Sequence, residues 1–586
     1  MIGRSRGRVL TALGLIVAAS LVTQAAVASD ATWNDSEWAT GMIGTTSCAD
    51  ASGSFATRAE GRAVSGSLLG TDLDTLIEAS GTTVTNDGDQ VRYSPLGANP
   101  AGPDAFANPL RVVALSAVDV DLGNGLLQLP LDTATGLLGQ YGRARSDGEA
   151  VGAGGFVTSS GGIATEPTNG YPELAALRLS TLLGSLDPGT AALLTDVTDV
   201  TLTTGAVAGR ATIDGCDLAW QGAQADAQVL ASALTREYVA ADVATEVSSP
   251  AVARLVAGTT GIVDELNTLV AALAGDAGLL DGLVQGITGL LRPLLGTLRL
   301  GAVTVDSLAA SVDLRPVTDL LRGSISDEAG IVRVDLGRGS IRVDSAGLVA
   351  SAYGITDGTS LNGLAPNTDL LADPRILAAL TDALTSALSE WLRDVEDALI
   401  DVLNSIRITL DASVRLRLLG LPVADITISV DAGLAALAAG GGVAVEAKLL
   451  GALDLGILDG LLNALTSGLG PVVANLVGGL LPTVGSLVDS LRPLISSLVG
   501  VVSNVYSVLY LSGVVSVIVN VQNDPLTGRP EPADWRHIPF GQYDVAALRI
   551  SVLDSLGPAG VRLYLGRGSV GPGCSVPRAD IECSAY

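Results

Sequence analysis

The sequence predicts an α+β protein in which a β-rich N-terminal domain is followed by two degenerate units of apolar helices plus antiparallel strands. Three observations predict this fold class. Apolar and polar residues alternate in short segments before residue 250, as they do in strands with one buried face. Longer apolar segments with helical spacing follow, and alternating segments return after them. The chain has 586 residues and 48% apolar content, which is enough for sizeable cores.

Residues 1–28 have the pattern of a secretory signal peptide. Three arginines precede an uncharged apolar stretch from Val9 to Val22, and Ala26 and Ala28 supply the small residues that signal peptidase recognises. The apolar stretch is too short to span a bilayer. We therefore expect an exported mature chain that begins at Ser29 and is extracellular or held at the cell surface.

The mature chain is strongly acidic. Removal of residues 1–28 discards three arginines and no acids, which moves the formal net charge from −28 to −31. The chain has only 33 basic residues, without a clustered stripe, and Lys448 is its sole lysine. Because a phosphate backbone would be repelled, we expect no nucleic acid partner.

Four cysteines in an exported chain predict disulfide bonds. Cys574 and Cys583 lie in a turn-rich segment near the end of the sequence, so a local bridge between them is the economical pairing. Cys48 would then pair with Cys216, and this long loop would stabilise the fold by ~4 kcal/mol in the chain-entropy model. Reduced, buried thiols are the alternative.

Two segments of the N-terminal domain, residues 29–250, carry the strand pattern. Val and Asp alternate from Val118 to Asp121, and a Gly-Asn-Gly turn and the segment Leu126–Leu131 follow, which predicts a β-hairpin. The same alternation recurs from Asp196 to Thr204. We expect strands with one solvated face.

From residue 251 the spacing of apolar residues becomes helical. Ile262–Leu273 and Ile376–Leu403 are apolar helix candidates, and the second has a charged face. Ile406–Leu418 then has an apolar residue at every even position, which predicts a half-buried strand. The predicted divisions are helix-plus-strand unit 1 at 251–373, a helix and strand connector at 374–433, and helix-plus-strand unit 2 at 434–586.

The two units resemble each other. Residues 278–298 align without gaps with 456–476, and 332–340 (VRVDLGRGS) match 561–569 (VRLYLGRGS). A degenerate internal duplication would explain both matches, each unit being a helical hairpin followed by strands and a Leu-Gly-Arg-Gly-Ser turn. Chance similarity between Leu/Gly-rich segments is the alternative.

An 11-residue repeat lies inside the second unit. Pro471, Pro482 and Pro493 are each 11 residues apart, and apolar residues keep the same step. We expect a series of short helices, each with a proline in its first turn, that form internal core and no transmembrane span. Uncharged stretches here are long enough to cross a bilayer, so lipid-surface binding through residues 456–523 is the alternative.

The sequence contains no recognisable catalytic motif. His537 is the only histidine, and the G-x-S-x-G motif of serine hydrolases is absent. One histidine and four disulfide-placed cysteines do not make a zinc site. The 61 acids could supply a carboxylate pair for glycoside hydrolysis, but the stacked aromatic residues that sugar subsites normally need are sparse, with five Trp and ten Tyr. We predict a non-enzymatic protein, with an envelope glycan hydrolase as the alternative.

Calcium is the ion that the sequence favours, and no other cofactor is expected. Asp87, Asp89, Asp119 and Asp121 cluster oxygen donors beside glycine, as hard cations prefer. Neither cluster matches the helix-loop-helix pattern, so turns are the alternative. Two GRGS segments resemble phosphate nests, but no lysine follows them and turns at strand ends are expected: Gly337–Ser340 and Gly566–Ser569.

The N-terminal domain also carries four segments with a family resemblance: Gly66–Asp74, Val84–Gly88, Gly136–Ala144 and Ser159–Ile163. They resemble the choice-of-anchor G proteins of high-GC Gram-positive bacteria over roughly residues 36–260. The resemblance implies an adhesive or structural protein of the cell surface or cell wall, with an unknown surface ligand or envelope component as partner. It implies no catalytic residues. Gly571–Tyr586 lacks the L-P-x-T-G signal, so release or non-covalent retention is expected.

Overall fold

Antiparallel sheets and long helices together form the protein, which confirms the predicted α+β fold class. The structure is a computed structural model that describes residues 55–68, 70–73, 81–109, 127–128, 138–163, 175–179, 192, 194–216, 227–274, 299–355, 361–418, 421–439, 441–449, 456–555 and 560–575. The predicted signal peptide, Cys48, the segment Val118–Asp121 and residues 278–298 lie outside these ranges. The export, the hairpin at Val118 and the internal duplication therefore stay predictions.

The helices of the described residues confirm the helical segments predicted at Ile262–Leu273 and Ile376–Leu403. They are α1 (Ala227–Ala233), α2 (Pro250–Ala274), α3 (Arg315–Arg322), α4 (Ser345–Tyr353), α5 (Pro374–Ser405), α6 (Leu434–Ala438) and α7 (Gly456–Val505). A π-helical segment, Tyr506–Leu511, follows α7 directly. Asp373 caps α5 by accepting a hydrogen bond from the Arg375 amide, with proline as the first helical residue.

The largest sheet has nine strands and contains both the first and the last described strand. Its order is β19 (Thr368–Asp369), β23 (Val515–Gln522), β24 (Tyr543–Val552), β25 (Val561–Val570), β1 (Phe55–Leu68), β3 (Thr82–Asn86) and β4 (Val91–Ser94), with β2 (Thr71–Asp72) and β26 (Cys574–Ser575) paired to β1. We call this the large sheet. All of its strand pairs are antiparallel.

The remaining described strands form three smaller antiparallel sheets. The six-stranded sheet is β13 (Leu234–Ala240), β12 (Val207–Asp214), β9 (Glu149–Gly155), β8 (Gly139–Ala144), β6 (Ala105–Ala107) and β5 (Asn99–Gly102). The seven-stranded sheet is β16 (Ser324–Ser326), β17 (Val332–Asp335), β18 (Ser340–Asp344), β14 (Val243–Ser248), β11 (Asp199–Thr204), β10 (Ala175–Arg178) and β7 (Leu127–Gln128). The four-stranded sheet is β15 (Arg299–Ser311), β20 (Arg407–Leu418), β21 (Leu421–Gly433) and β22 (Val443–Leu449). The strand predicted at Ile406–Leu418 is confirmed as β20. The strand predicted within Asp196–Thr204 is confirmed as β11, which begins at Asp199.

The sheets do not divide where the sequence changes character near residue 250. β14, which precedes that position, pairs with β18, which follows it. β1 likewise pairs with β25 along nine register positions. All described residues belong to one compact unit, Ala51–Tyr586. The predicted divisions at 29–250, 251–373, 374–433 and 434–586 stay predictions.

Helix α7 corrects the prediction of short helices separated by prolines. It continues from Gly456 to Val505 through Pro471, Pro482 and Pro493. Eleven residues are close to three helical turns, so the prolines lie on one side of α7, and all three are exposed. Water can bond to the carbonyls that the prolines leave without an amide donor, so the helix tolerates them.

The other side of α7 packs into the main hydrophobic core. The buried stripe has helical spacing: Val484, Leu487, Val488, Leu491 and Leu498. Leu481–Leu511 is also the one stretch of the described residues long and apolar enough to cross a membrane, with 44% of its most apolar window buried. The choice between internal core and lipid contact for residues 456–523 therefore stays a prediction.

Glycines allow the large sheet to pack unusually closely against the six-stranded sheet. A Cβ atom added at Gly152 of β9 would lie 2.2 Å from the Ser569 carbonyl oxygen and 2.3 Å from that of Glu60. Gly154 and Gly209 meet backbone oxygens of the large sheet in the same way, at 2.1 Å and 2.2 Å. Main chain therefore packs on main chain here, without the side-chain layer that usually separates two sheets by about 10 Å.

The two GRGS segments differ in structure. Gly337–Ser340 forms the predicted turn between β17 and β18, with the Gly339 amide donating to the Asp335 carbonyl oxygen at 2.9 Å. The turn predicted for Gly566–Ser569 is wrong, because these residues lie inside strand β25. A Cβ atom at Gly568 would lie 2.3 Å from the Gly152 carbonyl oxygen, so this glycine serves sheet packing.

Candidate functional site

The outer face of the large sheet carries charged side chains, opposite the face that meets the glycines. Tyr564 and Arg567 are three residues apart on β25, which in a regular strand would place them on opposite faces. Gly566 has φ +63°, a conformation that interrupts the alternation. Both side chains consequently contact Trp535. Tyr564 stacks on its ring with centroids 4.9 Å apart, and the Arg567 guanidinium lies 5.2 Å from its centroid.

The first group of charges, which we call the arginine cluster, joins β1, β24 and β25. Its members are Arg58, Glu60, Arg62, Gln542, Asp544, Arg567 and Ser569. Arg58 and Arg62 each form a short ion pair with a different oxygen of Glu60. Arg58 Nη1 also donates to Gln542 Oε1 at 3.3 Å. Gln542 Nε2 in turn donates to Asp544 Oδ1 at 2.9 Å, so hydrogen bonds link the two carboxylates through Arg58 and Gln542.

Asp544 anchors the other end of the arginine cluster. Arg567 Nε donates to Asp544 Oδ2 at 2.8 Å, and Ser569 Oγ donates to Oδ1 at 2.6 Å. Arg567 and Arg62 are register partners on neighbouring strands. The cluster is therefore a fixed array held by the backbone of the sheet.

The acidic and the basic side chains of the arginine cluster differ in how exposed they are. Asp544 is 0% exposed and Glu60 is 8% exposed, whereas Arg58, Arg62 and Arg567 are 29%, 22% and 20% exposed. The carboxylates are thus more deeply buried than the guanidinium groups with which they pair. The more exposed members of the cluster are therefore the arginines.

A second group of charges surrounds Arg549, whose side chain is 2% exposed. Its guanidinium donates to Tyr564 Oη at 3.0 Å, Asp534 Oδ1 at 3.1 Å and Asp554 Oδ2 at 2.9 Å. Tyr564 donates its own hydroxyl proton to Asp534 Oδ2 at 2.6 Å. Every charge in this group thus has a partner, as buried charges require.

Burial and ion pairing compete to set the pKa values of these groups. Burial alone would raise the pKa of Asp544, but Arg567 and the hydrogen bonds from Ser569 and Gln542 lower it below its usual range. Burial would likewise raise the pKa of Asp554, but the ion pair with Arg549 lowers it. The pKa of Asp554 therefore lies below its usual range. Burial raises the pKa of Tyr564. Asp544 and Asp554 are therefore ionised at neutral pH, and the Tyr564 phenol is neutral.

The lowered pKa of Asp544 predicts an acid-sensitive sheet. A carboxylate whose folded pKa lies below its unfolded value near 3.9 stabilises the fold above that value, and the contribution is lost as pH falls through the folded pKa. We expect Asp544→Asn to lower stability at pH 7 and to show a shallower loss between pH 5 and pH 2. Urea unfolding across that range measures both effects. Ser569→Ala, which keeps the carboxylate, should retain most of the acid slope, and equal slopes for wild type and Asp544→Asn would contradict the assignment.

The predicted calcium donors lie away from these clusters. Asp87 Oδ1 accepts hydrogen bonds from the Asp89 and Gln90 amides at 3.1 and 2.7 Å, and these bonds lower the pKa of Asp87. Such contacts support the alternative of a turn. Asp119 and Asp121 lie outside the described residues. Within the part of the chain that is described, no group of three or more His, Cys, Asp or Glu side chains could hold a metal ion.

Cys216 takes part in a disulfide bond. Cys48 and Cys583 lie outside the described residues, as does the side chain of Cys574, so the predicted pairings Cys48–Cys216 and Cys574–Cys583 stay predictions. His537 lies exposed in the loop that follows Trp535.

The arginine cluster was not predicted from the sequence. One sequence feature could have indicated it. Arg58, Glu60 and Arg62 occupy every second position of β1, so their side chains lie on the same face of the strand. The rest of the cluster comes from residues far along the chain, and its proximity depends on the pairing of β1 with β25.

Comparison with other proteins identifies the family of the chain. No curated protein matches it, and no solved structure does. The sequence model of one protein family, described as a domain of unknown function, DUF8394, matches residues 59–571. That range begins in β1 and ends directly after β25. These two strands pair side by side in the large sheet. The chain therefore belongs to the DUF8394 family.

Proposed function

We propose that this protein is a secreted or cell-surface binding protein without enzymatic activity, with a structural or adhesive role at the bacterial envelope. The observation that carries the location is the disulfide bond of Cys216, because disulfides persist mainly in oxidising compartments outside the cytosol. The signal peptide pattern of residues 1–28 and the resemblance to choice-of-anchor G proteins support the same location.

Ion pairing supports binding rather than catalysis. Glu60, Asp534, Asp544 and Asp554 all form ion pairs with arginines. A general acid near neutral pH needs a raised pKa, whereas the pKa values of Asp544 and Asp554 are lowered. The outer face of the large sheet therefore offers a rigid charged surface to a ligand, and its carboxylates are poorly suited to proton transfer.

Fractionation of cells into wall, membrane, medium and cytoplasm tests this proposal. We expect the protein in the wall fraction or the medium, starting at Ser29, with an intact mass that rises by about four protons on reduction if two bridges are present. Protein that stays in the cytoplasm with residues 1–28 attached would overturn the location. Turnover of labelled peptidoglycan or glycosides that disappears on mutation of one carboxylate would favour the hydrolase, and recovery in the membrane fraction would favour the lipid-surface alternative.

A further inference from the structure

Strand β22 is an end strand of the four-stranded sheet, and the described part of the chain contains no strand that pairs on its outer side. Its pairing with β21 is regular from Val443 to Leu449. β15, at the opposite end of the sheet, has two register shifts along its pairing with β20. Irregularities of this kind discourage an end strand from pairing with other chains. β22 has no such shift, so its outer edge is suited to accept another strand.

The backbone of β22 directs alternate residues towards this outer edge. The Asp431 amide donates to the Gly442 carbonyl oxygen at 3.0 Å, so Gly442 and every second residue after it bond to β21. Val445 and Ala447 therefore direct their amide and carbonyl groups away from β21. A second strand could bond to these groups while every backbone bond to β21 stays in place.

The charged residues of β22 belong to a row that crosses the sheet with alternating sign. Arg415 of β20 pairs with Asp425 of β21 at 3.9 Å. Asp425 is the register partner of Lys448 on β22, and Lys448 is the only lysine of the chain. Two residues before it, the exposed Glu446 lies opposite the uncharged Thr427. The outer edge of β22 thus carries one charge of each sign, two positions apart.

We propose that β22 pairs antiparallel with β22 of a second copy of the chain, with Ala447 opposite its own counterpart on a two-fold axis. Glu446 of each copy then lies opposite Lys448 of the other copy, which continues the alternation of charge across the axis. Val445 lies opposite Leu449, and two sheets of four strands become one sheet of eight. Opposite charges that face each other on neighbouring strands are favourable, and like charges are unfavourable.

Charge also disfavours the neighbouring registers. A shift of the axis by one residue keeps the outward backbone groups of the two strands opposed. With the axis at Glu446, two glutamates would face each other, and with the axis at Lys448, two lysines would do so. Of these three registers, only the one with its axis at Ala447 places each charge opposite its complement. Because one short strand from each copy forms the contact, we expect a weak, reversible dimer.

Sedimentation velocity on the full mature chain, across the micromolar range, tests the dimer. We expect the sedimentation coefficient to rise with concentration. Lys448→Glu and Glu446→Lys should each weaken the dimer about tenfold or more, because each places like charges opposite each other twice per dimer. The double variant exchanges the two charges and should restore dimerisation. An equimolar mixture of the two single variants should form heterodimers, because their edges are complementary.

Ala447→Pro tests the backbone pairing. The Ala447 amide points away from β21, so proline removes the central bonds of the dimer without removing a bond to β21, and we expect a monomer. Arg315→Glu is the control for charge, since it reverses one exposed charge on another element and should dimerise like wild type. Near-UV circular dichroism checks that each variant is folded.

Carbodiimide cross-linking identifies the residues in contact, because it joins a carboxylate directly to an amine. Peptide mass spectrometry of the cross-linked dimer should find Glu446 of one copy joined to Lys448 of the other. A wild-type chain that stays monomeric throughout, single charge variants that dimerise like wild type, a mixture of the two that forms no heterodimer, or dimer cross-links between other residues only would overturn the inference.

Discussion

Gly152→Ala should destabilise the protein by about 4 kcal/mol, among the largest effects expected of a single substitution. The added Cβ atom would lie within 2.3 Å of two carbonyl oxygens, those of Ser569 and Glu60. Both belong to the backbone of the large sheet, so no side chain can rotate away to relieve the clash. The two sheets would have to separate. Urea unfolding followed by circular dichroism measures the change in free energy of unfolding.

Gly500→Ala is the matched control, with an expected change of opposite sign. Gly500 lies in helix α7, and a Cβ atom there would meet nothing within 4 Å. Alanine should stabilise the helix by roughly 0.5–1 kcal/mol, because glycine loses more backbone freedom on folding. Similar changes for both substitutions would mean that the close contact between the sheets does not govern the effect at Gly152.

Replacement of Arg549 by methionine should cost about 3 kcal/mol. The guanidinium bonds to Asp534, Asp554 and Tyr564 while almost fully buried, so methionine would leave carboxylates in a poorly solvated site without their cation. Loss of one partner from a buried ion pair is strongly destabilising, even though a buried pair adds little stability over apolar residues. The same unfolding measurement at pH 7 gives the magnitude.

Arg492→Met provides the comparison for Arg549→Met. Arg492 pairs with Asp489 on the exposed side of helix α7, with both side chains more than 60% exposed. Exposed pairs of this kind contribute at most about 1 kcal/mol. If the two substitutions had equal effects, the burial of Arg549 would not be what makes its ion pairs important.

Local periodicity was sufficient to predict the elements whose burial follows a simple pattern. The alternation in Ile406–Leu418 predicted β20, and the helical spacing in Ile376–Leu403 predicted α5. In both cases the residues of one face contact the core. Apolar residues therefore recur with the period of the backbone conformation, about two residues in a strand and 3.6 in a helix.

Identical local sequence was not sufficient where distant contacts decide the structure. Residues 336–340 and 565–569 both read Leu-Gly-Arg-Gly-Ser, yet the first segment turns and the second is strand. The second has β1 and β24 as hydrogen-bonding neighbours on either side and β9 against its inner face. β1 and β9 come from far along the chain, and periodicity within a few residues contains no information about them.

The prolines of α7 illustrate a second limit. A proline inside a helix usually breaks or kinks it, and this rule led to the prediction of short helices. The 11-residue spacing is nevertheless compatible with one continuous helix, because it places every proline on the same, exposed side. Solvent exposure, which decides whether the lost hydrogen bond is costly, depends on how the helix packs in the folded protein.

The position of β1 has a consequence for how the chain is made. The ribosome synthesises β1 early and β25 near the end, yet the two strands lie side by side in the large sheet. β1 thus lacks its long neighbour until Val561–Val570 has been synthesised, and a chain that stops earlier keeps an unpaired strand edge that can pair with other chains. Under the proposed function, export as an extended polypeptide would benefit from this order. The large sheet cannot close on this side of β1 before Val561–Val570 has been synthesised, which would keep an exported chain competent for translocation.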